Sequence, residues 1–301
     1  MVDLFAADDP QADLSYVNVR NPTHDGAARA RANCDDLWRD FEPLANAHFL
    51  AEFPRRFHQR WFEMYLAVAL LRSGLPVQCI DDAAPDILIP GERGNVWIEA
   101  IAPTGGDPMN PDRVVHHEPA REGEIPVAFG VPIPQVILRV RAALFDKAKK
   151  IATYRARGVI GPNDQALIAI NVRDIPHGFF DAERFALGAV YGQGDPYVVI
   201  DRRTLKAVEQ GIAQRPTIAR HSGEQINMEP FLHPGHEHVS GALISGTDAA
   251  NCSTPLGRDF MLLPNPNASP LYRPGLIRLG REWRLQQSQP GEYAVEVIEH
   301  S

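Results

Sequence analysis

Three short apolar segments, LPVQCI at 75–80, APDILIP at 84–90 and NVWIEAIA at 95–102, follow one another with only GERG, 91–94, between the last two. Each has the length and β-branched content of a strand, and the Gly-flanked four-residue link predicts a hairpin between the second and third. Side chains alternate across a strand, so Trp97, Glu99 and Ile101 share one face while Ile98 and Ala100 share the other. Immediately upstream the period changes. Phe57, Trp61, Met64, Tyr65, Val68 and Leu71 recur at helical spacing over residues 54–73, with Pro54 tolerated in the first turn and Gly74 placed to end the helix. The order helix, strand, hairpin is the nucleus of an α/β fold.

Working outward, residues 135–157 form a second helical pattern, with Ile137, Val140, Leu144, Ala148 and Ile151 on one stripe and Gly158 as the cap. QALIAINV, 165–172, then reads as a buried strand. Residues 103–134 are rich in Gly, Pro, Asp and His without a period and are expected to form a long surface loop. Upstream, residues 27–53 are helical, with Leu37, Trp38, Phe41 and Leu44 on one side and an interruption at Pro43; the first two dozen residues, carrying Pro10, Pro22 and Gly26, are expected to be a loosely ordered arm. The last third contains a Gly-rich stretch at 187–201, a strand-like HVSGALIS at 238–245 and a Pro/Asn-rich turn region at 262–275. The expectation is an α/β protein with a mixed central sheet flanked by helices. Residues 1–53 would be an arm and helix, 54–175 the core, and 176–301 a C-terminal elaboration of the same domain. The sheet would come from 75–102 and 165–172, packed by the helices 54–73 and 135–157.

Composition narrows the classes. Of 301 residues, 44% are hydrophobic and 23% charged, ordinary values for a chain that buries a sizeable core. No run approaches the ~18 apolar residues of a membrane span, and the acidic opening MVDLFAADDP is unlike a signal peptide, so a cytoplasmic protein is expected. Cys34, Cys79 and Cys252 lack finger spacing and are expected to be reduced and buried. The formal net charge of −8 runs against nucleic-acid binding in bulk, since phosphates are met by Lys and Arg. Basic residues nevertheless cluster, Arg55, Arg56, Arg60 and Arg72 about the first long helix and Arg139, Arg141, Lys147, Lys149, Lys150, Arg155 and Arg157 on the second.

Three acids stand in apolar surroundings. Asp86 opens one strand and Glu99 lies near the end of the next, so the hairpin brings both to one end of the sheet. Glu63 sits inside RWFEMYLAVALL, 60–71, where almost every neighbour is apolar. A carboxylate in such a place is costly unless paired or metal-bound. Glu63 has a plain structural alternative, pairing with Arg60 or Gln59 one turn earlier. Converging carboxylates are what hydrolysis of a phosphodiester needs: hard oxygens hold Mg²⁺ while a water attacks phosphorus.

Glu63 on a helix, then Pro85-Asp86, then Glu99 in a hydrophobic strand, then a basic helix and another strand, resembles the PD-(D/E)XK nuclease superfamily, in particular bacterial members whose third strand ends E-A-x-A-P. The resemblance covers about residues 53–172. It implies a restriction-endonuclease-like fold and a Mg²⁺- or Mn²⁺-dependent nuclease acting on DNA. Glu63, Asp86, Glu99 and the carbonyl of Ala100 would be the metal ligands, with Asp86 and Glu99 catalytic. The implied partner is nucleic acid rather than a membrane, and a homodimer is compatible with it.

The chain departs from that family at Ile101, where the family has a lysine that stabilises developing negative charge. A replacement is at hand. Lys147, Lys150, Tyr154 and Arg157 line one stripe of the 135–157 helix, and Lys150-x-x-x-Tyr154 resembles the Gln-x-x-x-Tyr motif of the superfamily's exonucleases. Lys150, then Lys147, is expected to point into the acids, with Arg139, Tyr154 and Arg157 facing nucleic acid. Without such a replacement the chain would be a catalytically inactive nuclease-fold protein binding nucleic acid or a protein partner; a third reading makes it an unrelated enzyme with structural acid pairs.

Other signals carry less. His233, His236 and His238 match no metal-binding spacing. No G-x-S-x-G is present in VSGAL or SGTDA. GQGDP, 192–196, and NPNASP, 265–270, are read as turns.

Overall fold

The computed structural model describes residues 2–80, 83–116, 130–289 and 292–300. Six helices, α1 (Leu14–Arg20), α2 (Asp25–Phe41), α3 (Phe49–Glu52), α4 (Phe57–Arg72), α5 (Ile133–Ala156) and α6 (Ala182–Tyr191), accompany twelve strands among the described residues. These are β1 (Gln78–Cys79), β2 (Ile87–Ile89), β3 (Val96–Ile101), β4 (Gln165–Asn171), β5 (Gln193–Ile200), β6 (Ala207–Gln214), β7 (Thr217–Ala219), β8 (Gln225–Asn227), β9 (Gly241–Ser245), β10 (Met261–Pro264), β11 (Arg281–Gln289) and β12 (Glu292–Glu299). Eight strands make one sheet in the order β1-β2-β3-β4-β9-β10-β11-β12; β5 with β6 and β7 with β8 form two small hairpins. The large sheet is mixed. β3, β4 and β9 run parallel, while β2 is antiparallel to β3 and β10 to β9. The protein is therefore α/β, with a large mixed sheet flanked by helices.

Alternation along the strands divides the interior in two. Val96, Ile98, Ala100, Leu167 and Ala169 face a core built with α2 and α4, and Trp97, Ala166, Ile168 and Ile170 face one built with α5 and α6. Burial on both faces is why β4 reads as a continuous apolar run. Helix α4 is buried almost all round: between Phe57 and Leu70 only Gln59 is not. It starts at Phe57 rather than Pro54, because Pro54 lies in the preceding turn, where its carbonyl accepts from the Asp13 amide. β1 shrinks to Gln78–Cys79, since Pro76 has no N–H for a ladder.

Three expectations are corrected. The N-terminal residues are not a loose arm: Phe5 and Tyr16 stack on each other and abut Phe53 and Phe57, and Leu4 and Val19 are buried with them. GQGDP is not a turn. Gly192 caps α6 in the left-handed region (φ 65°), where a side chain would strike Glu229, and Gln193 onward is strand β5. Of the three free thiols only Cys34 is buried; Cys79 and Cys252 are partly exposed. The C-terminal third supplies β9 to β12, half of the large sheet. The loop after β3 is irregular through residue 116, and its expected course over residues 117–129 lies outside the described residues. Among the described residues no helix is long and apolar enough to cross a membrane.

Candidate functional site

The site lies where β2 begins. The last ladder pair of β2 with β3 is Ile87 with Ile98, so Glu99, Ala100 and Ile101 extend beyond it. Asp86 continues the pairing with its side chain: its Oδ2 accepts from the Ala100 amide at 2.7 Å. Beside this point is a cavity of about 160 Å³ lined from both sides of the sheet, by Gln59, Arg60 and Glu63 of α4, by Asp86, Ala100 and Ile101, and by Lys147 and Lys150 of α5.

Glu99 is completely buried, on the α5 side of β3, as the alternation requires. Its Oε1 accepts from the Lys147 ammonium at 2.6 Å and from the Lys150 ammonium at 2.7 Å. Its Oε2 is buried and has no hydrogen-bond partner among the described residues. That is a strong anomaly, because an ionised oxygen out of water and unpaired is expensive. The lysines differ in setting, Lys147 being 16% exposed in its side chain and Lys150 50%. Burial opposes the Lys150 charge, but the hydrogen bond and charge of Glu99 outweigh it and hold its pKa above the ordinary lysine value.

Asp86 is pushed up to about 7, by burial first and then by the like charges of Glu99 and Glu63, against the opposing pull of Lys147 and the Ala100 amide. A carboxylate so raised is half protonated near neutrality. Glu63 is held differently. Its Oε1 accepts from Gln59 Nε2 at 2.8 Å and its Oε2 from Arg60, which also grips Glu52. The structural pairing foreseen from the sequence is thus present, with both partners at once. Gln59 bridges further: its Oε1 accepts from the Ala102 amide at 2.7 Å and its Nε2 approaches the Ala100 carbonyl at 3.4 Å. It ties the helix to the end of β3.

The acids approach closely enough to perturb Asp86, and both lysines reach Glu99. The three carboxylates are nevertheless not set around one point as the side chains stand: among the described residues no group of three His, Cys, Asp or Glu side chains has a metal-holding arrangement. The donors that fit a hard cation are the Asp86 carboxylate, the orphaned Glu99 Oε2 and the Ala100 carbonyl. Glu63 joins them only by releasing Arg60 or Gln59.

The residues expected to face nucleic acid are dispersed. Arg139 is half-buried and donates to the Thr104 carbonyl at 2.8 Å, bracing the loop after β3. Tyr154 is buried in the α5-side core, its ring 5.8 Å from the Lys150 ammonium. Arg157 is exposed at the helix end. The histidines do not converge: His233 pairs with Glu229 at 3.0 Å and His238 meets the Ala148 carbonyl at 3.0 Å. Not foreseen is His58, buried in the first turn of α4, which lies 3.3 Å from Asn171 Oδ1 at the end of β4. A histidine among the buried positions of α4, beside Gln59, Arg60 and Glu63, is the available signal. No family model, no curated protein and no solved structure matches this chain.

Proposed function

We propose that the protein is a Mg²⁺- or Mn²⁺-dependent nuclease of the PD-(D/E)XK kind, acting on DNA. The observation that carries this reading is Glu99: a buried carboxylate with two ammonium groups on one oxygen and no partner among the described residues on the other, beside an aspartate raised to about 7. Supporting it is the order α4, β1, β2, β3, α5, β4, which carries Glu63 on α4, Asp86 just before β2 and Glu99 in β3. Asp86, Glu99 and the Ala100 carbonyl would hold the cation, with Glu63 completing the set. When bound, the cation supplies Lewis-acid polarisation of a phosphoryl oxygen and neutralises charge on the leaving group.

The chain's own residues do the rest. Lys147 and Lys150 bring two positive charges to the spot that Ile101 leaves without one, where they favour an approaching phosphate and the negative charge that grows during displacement. Low exposure on Glu99 and Lys147 keeps water from screening that charge. Gln59 and Arg60 fix Glu63, so that the helix and the strand end keep one spacing.

A second reading, a catalytically silent protein of the same fold that binds nucleic acid or a protein, is favoured by one observation, the engagement of both Glu63 oxygens. Purified protein incubated with Mg²⁺ or Mn²⁺ and single- or double-stranded DNA or RNA separates them. Cleavage lost in Asp86→Ala supports the nuclease; no cleavage of any substrate leaves the silent protein.

A further inference from the structure

The far side of α5 holds a second anomaly. Arg141 is only 7% exposed, its Nε donates to the Asn227 carbonyl at 3.0 Å, and its Nη1 is buried with no partner among the described residues. Among the described residues no carboxylate is paired with it, and its guanidinium lies 5.6 Å from the centre of the Phe145 ring. Burial alone depresses its pKa, to about 10. Beside it, His236 is held neutral by burial and by the Arg141 charge itself, and its Nδ1 is likewise buried and unpartnered among the described residues. A buried cation lacking a counter-charge costs stability unless something outside the chain supplies the anion.

There is room for that anion. Arg141 lines a cavity of about 490 Å³ between α5 and the β7–β8 hairpin, together with Phe145, Asp146, Lys149, Arg220 and Glu224. Arg220 is matched by Glu224 at 2.8 Å. Lys149 makes no ion pair in the described structure; its ammonium sits 4.1 Å from the centre of the Phe145 ring. The lining charges without an ion pair among the described residues are therefore Arg141, Lys149 and the acid Asp146, which acts on Arg139, so the lining as a whole stays positive. Arg141, Phe145 and Lys149 follow one another at successive turns of α5, whereas Lys147 and Lys150 point to the opposite side, onto Glu99. The two sites do not share a residue.

We infer that this cavity is a phosphate-binding site, separate from the acid cluster, in which Arg141 and Lys149 hold a phosphate group carried by a free nucleotide or by a nucleic-acid backbone. A planar guanidinium and an exposed ammonium lining one cavity suit a tetrahedral oxyanion, which can accept from both. The inference does not rest on the nuclease reading, since it uses none of its residues.

The test is binding by the full chain, followed by calorimetry and by thermal unfolding, with inorganic phosphate, AMP and a fluorescent 20-nucleotide DNA as probes. Saturable binding of phosphate or AMP is expected, raising the unfolding temperature. Arg141→Gln should weaken it by about tenfold or more, the loss of one charge-assisted hydrogen bond, and the exposed Lys149→Gln by a smaller factor. Ligand-free Arg141→Gln should unfold at the same or a higher temperature than wild type, since it removes an unpaired buried charge. If the phosphate comes from a nucleic acid, the DNA binds the site and both variants weaken it, with a shallower salt dependence. If it comes from a free nucleotide, AMP binding falls in the variants and DNA binding does not. Absence of saturable binding by all three probes, or binding unchanged in both variants, overturns the proposal.

Discussion

Replacing Lys147 and Lys150 by Met, singly and together, probes the site through Glu99. With a side chain 0% exposed, Glu99 has the two ammonium groups as its hydrogen-bond partners among the described residues. Loss of Lys150 alone should cost little, about 0–1 kcal/mol, because half its side chain is in water and the exposed part of such a pair is screened. Loss of Lys147 alone leaves one ammonium, and the cost should be about 1–3 kcal/mol, that of removing one partner from a charged hydrogen bond. The double variant leaves a buried carboxylate with no cation. Its cost should reach about 3–5 kcal/mol and exceed the sum of the singles, since each lysine covers for the other. Urea unfolding at pH 8 measures all three. On the nuclease reading, the single variant that removes the true helper should also lower cleavage by roughly 10²–10³ while metal binding, followed by calorimetry, stays near wild type. A double variant as stable as wild type would refute the claim that these lysines hold the buried Glu99 side chain, and the electrostatic role built on it.

Asp86 gives a pH signature. Its folded value of about 7 lies above the ordinary carboxylate value, so its contribution to stability is full below about pH 4, is lost as pH rises toward 7, and is flat beyond. The unfolding temperature of metal-free wild type should carry that downward slope, and Asp86→Asn should lack it. Asp86→Ala should abolish divalent-metal binding measured by calorimetry. Phe5→Ala should destabilise by about 3–5 kcal/mol in urea, the usual cost of emptying an aromatic site, if the N-terminal residues are part of the core. Asp259→Ala should cost about 1–3 kcal/mol by the same assay, since Tyr65, Ser245 and Ser253 all donate to that one carboxylate and buried Ser245 would lose its acceptor, while Tyr65 and Ser253 keep each other.

The parts of the fold readable in the sequence were those written in periodicity. The α4 pattern, the hairpin of β2 and β3, the α5 stripe and β4 all switch period at glycines or turns, and the structure places them within a few residues of the sequence reading. The N-terminal helix failed because its evidence is not local: seven residues with Pro and Gly nearby carry a weak helical signal, and what orders them is Phe53 and Phe57, far along the chain. The same limit hid β11 and β12, whose sheet position depends on β10. At the site, acids in apolar segments were visible because burial of charge is a sequence anomaly. Arg141 is equally anomalous, standing between Ile137 and Leu144 on α5, but the sequence alone groups it with the other basic residues of that helix. Which oxygen is left without a partner cannot be seen without coordinates.

Because the cavity at the end of β3 is walled by α4 on one face of the sheet and α5 on the other, it belongs to neither layer alone. Its geometry exists only once both helices have docked, which makes the site a late product of folding. A partly folded chain with either layer in place would display isolated acids or isolated lysines, each open to water. Function at this site and global cooperativity should therefore be lost together, with no stage at which a loosened protein retains a working remnant.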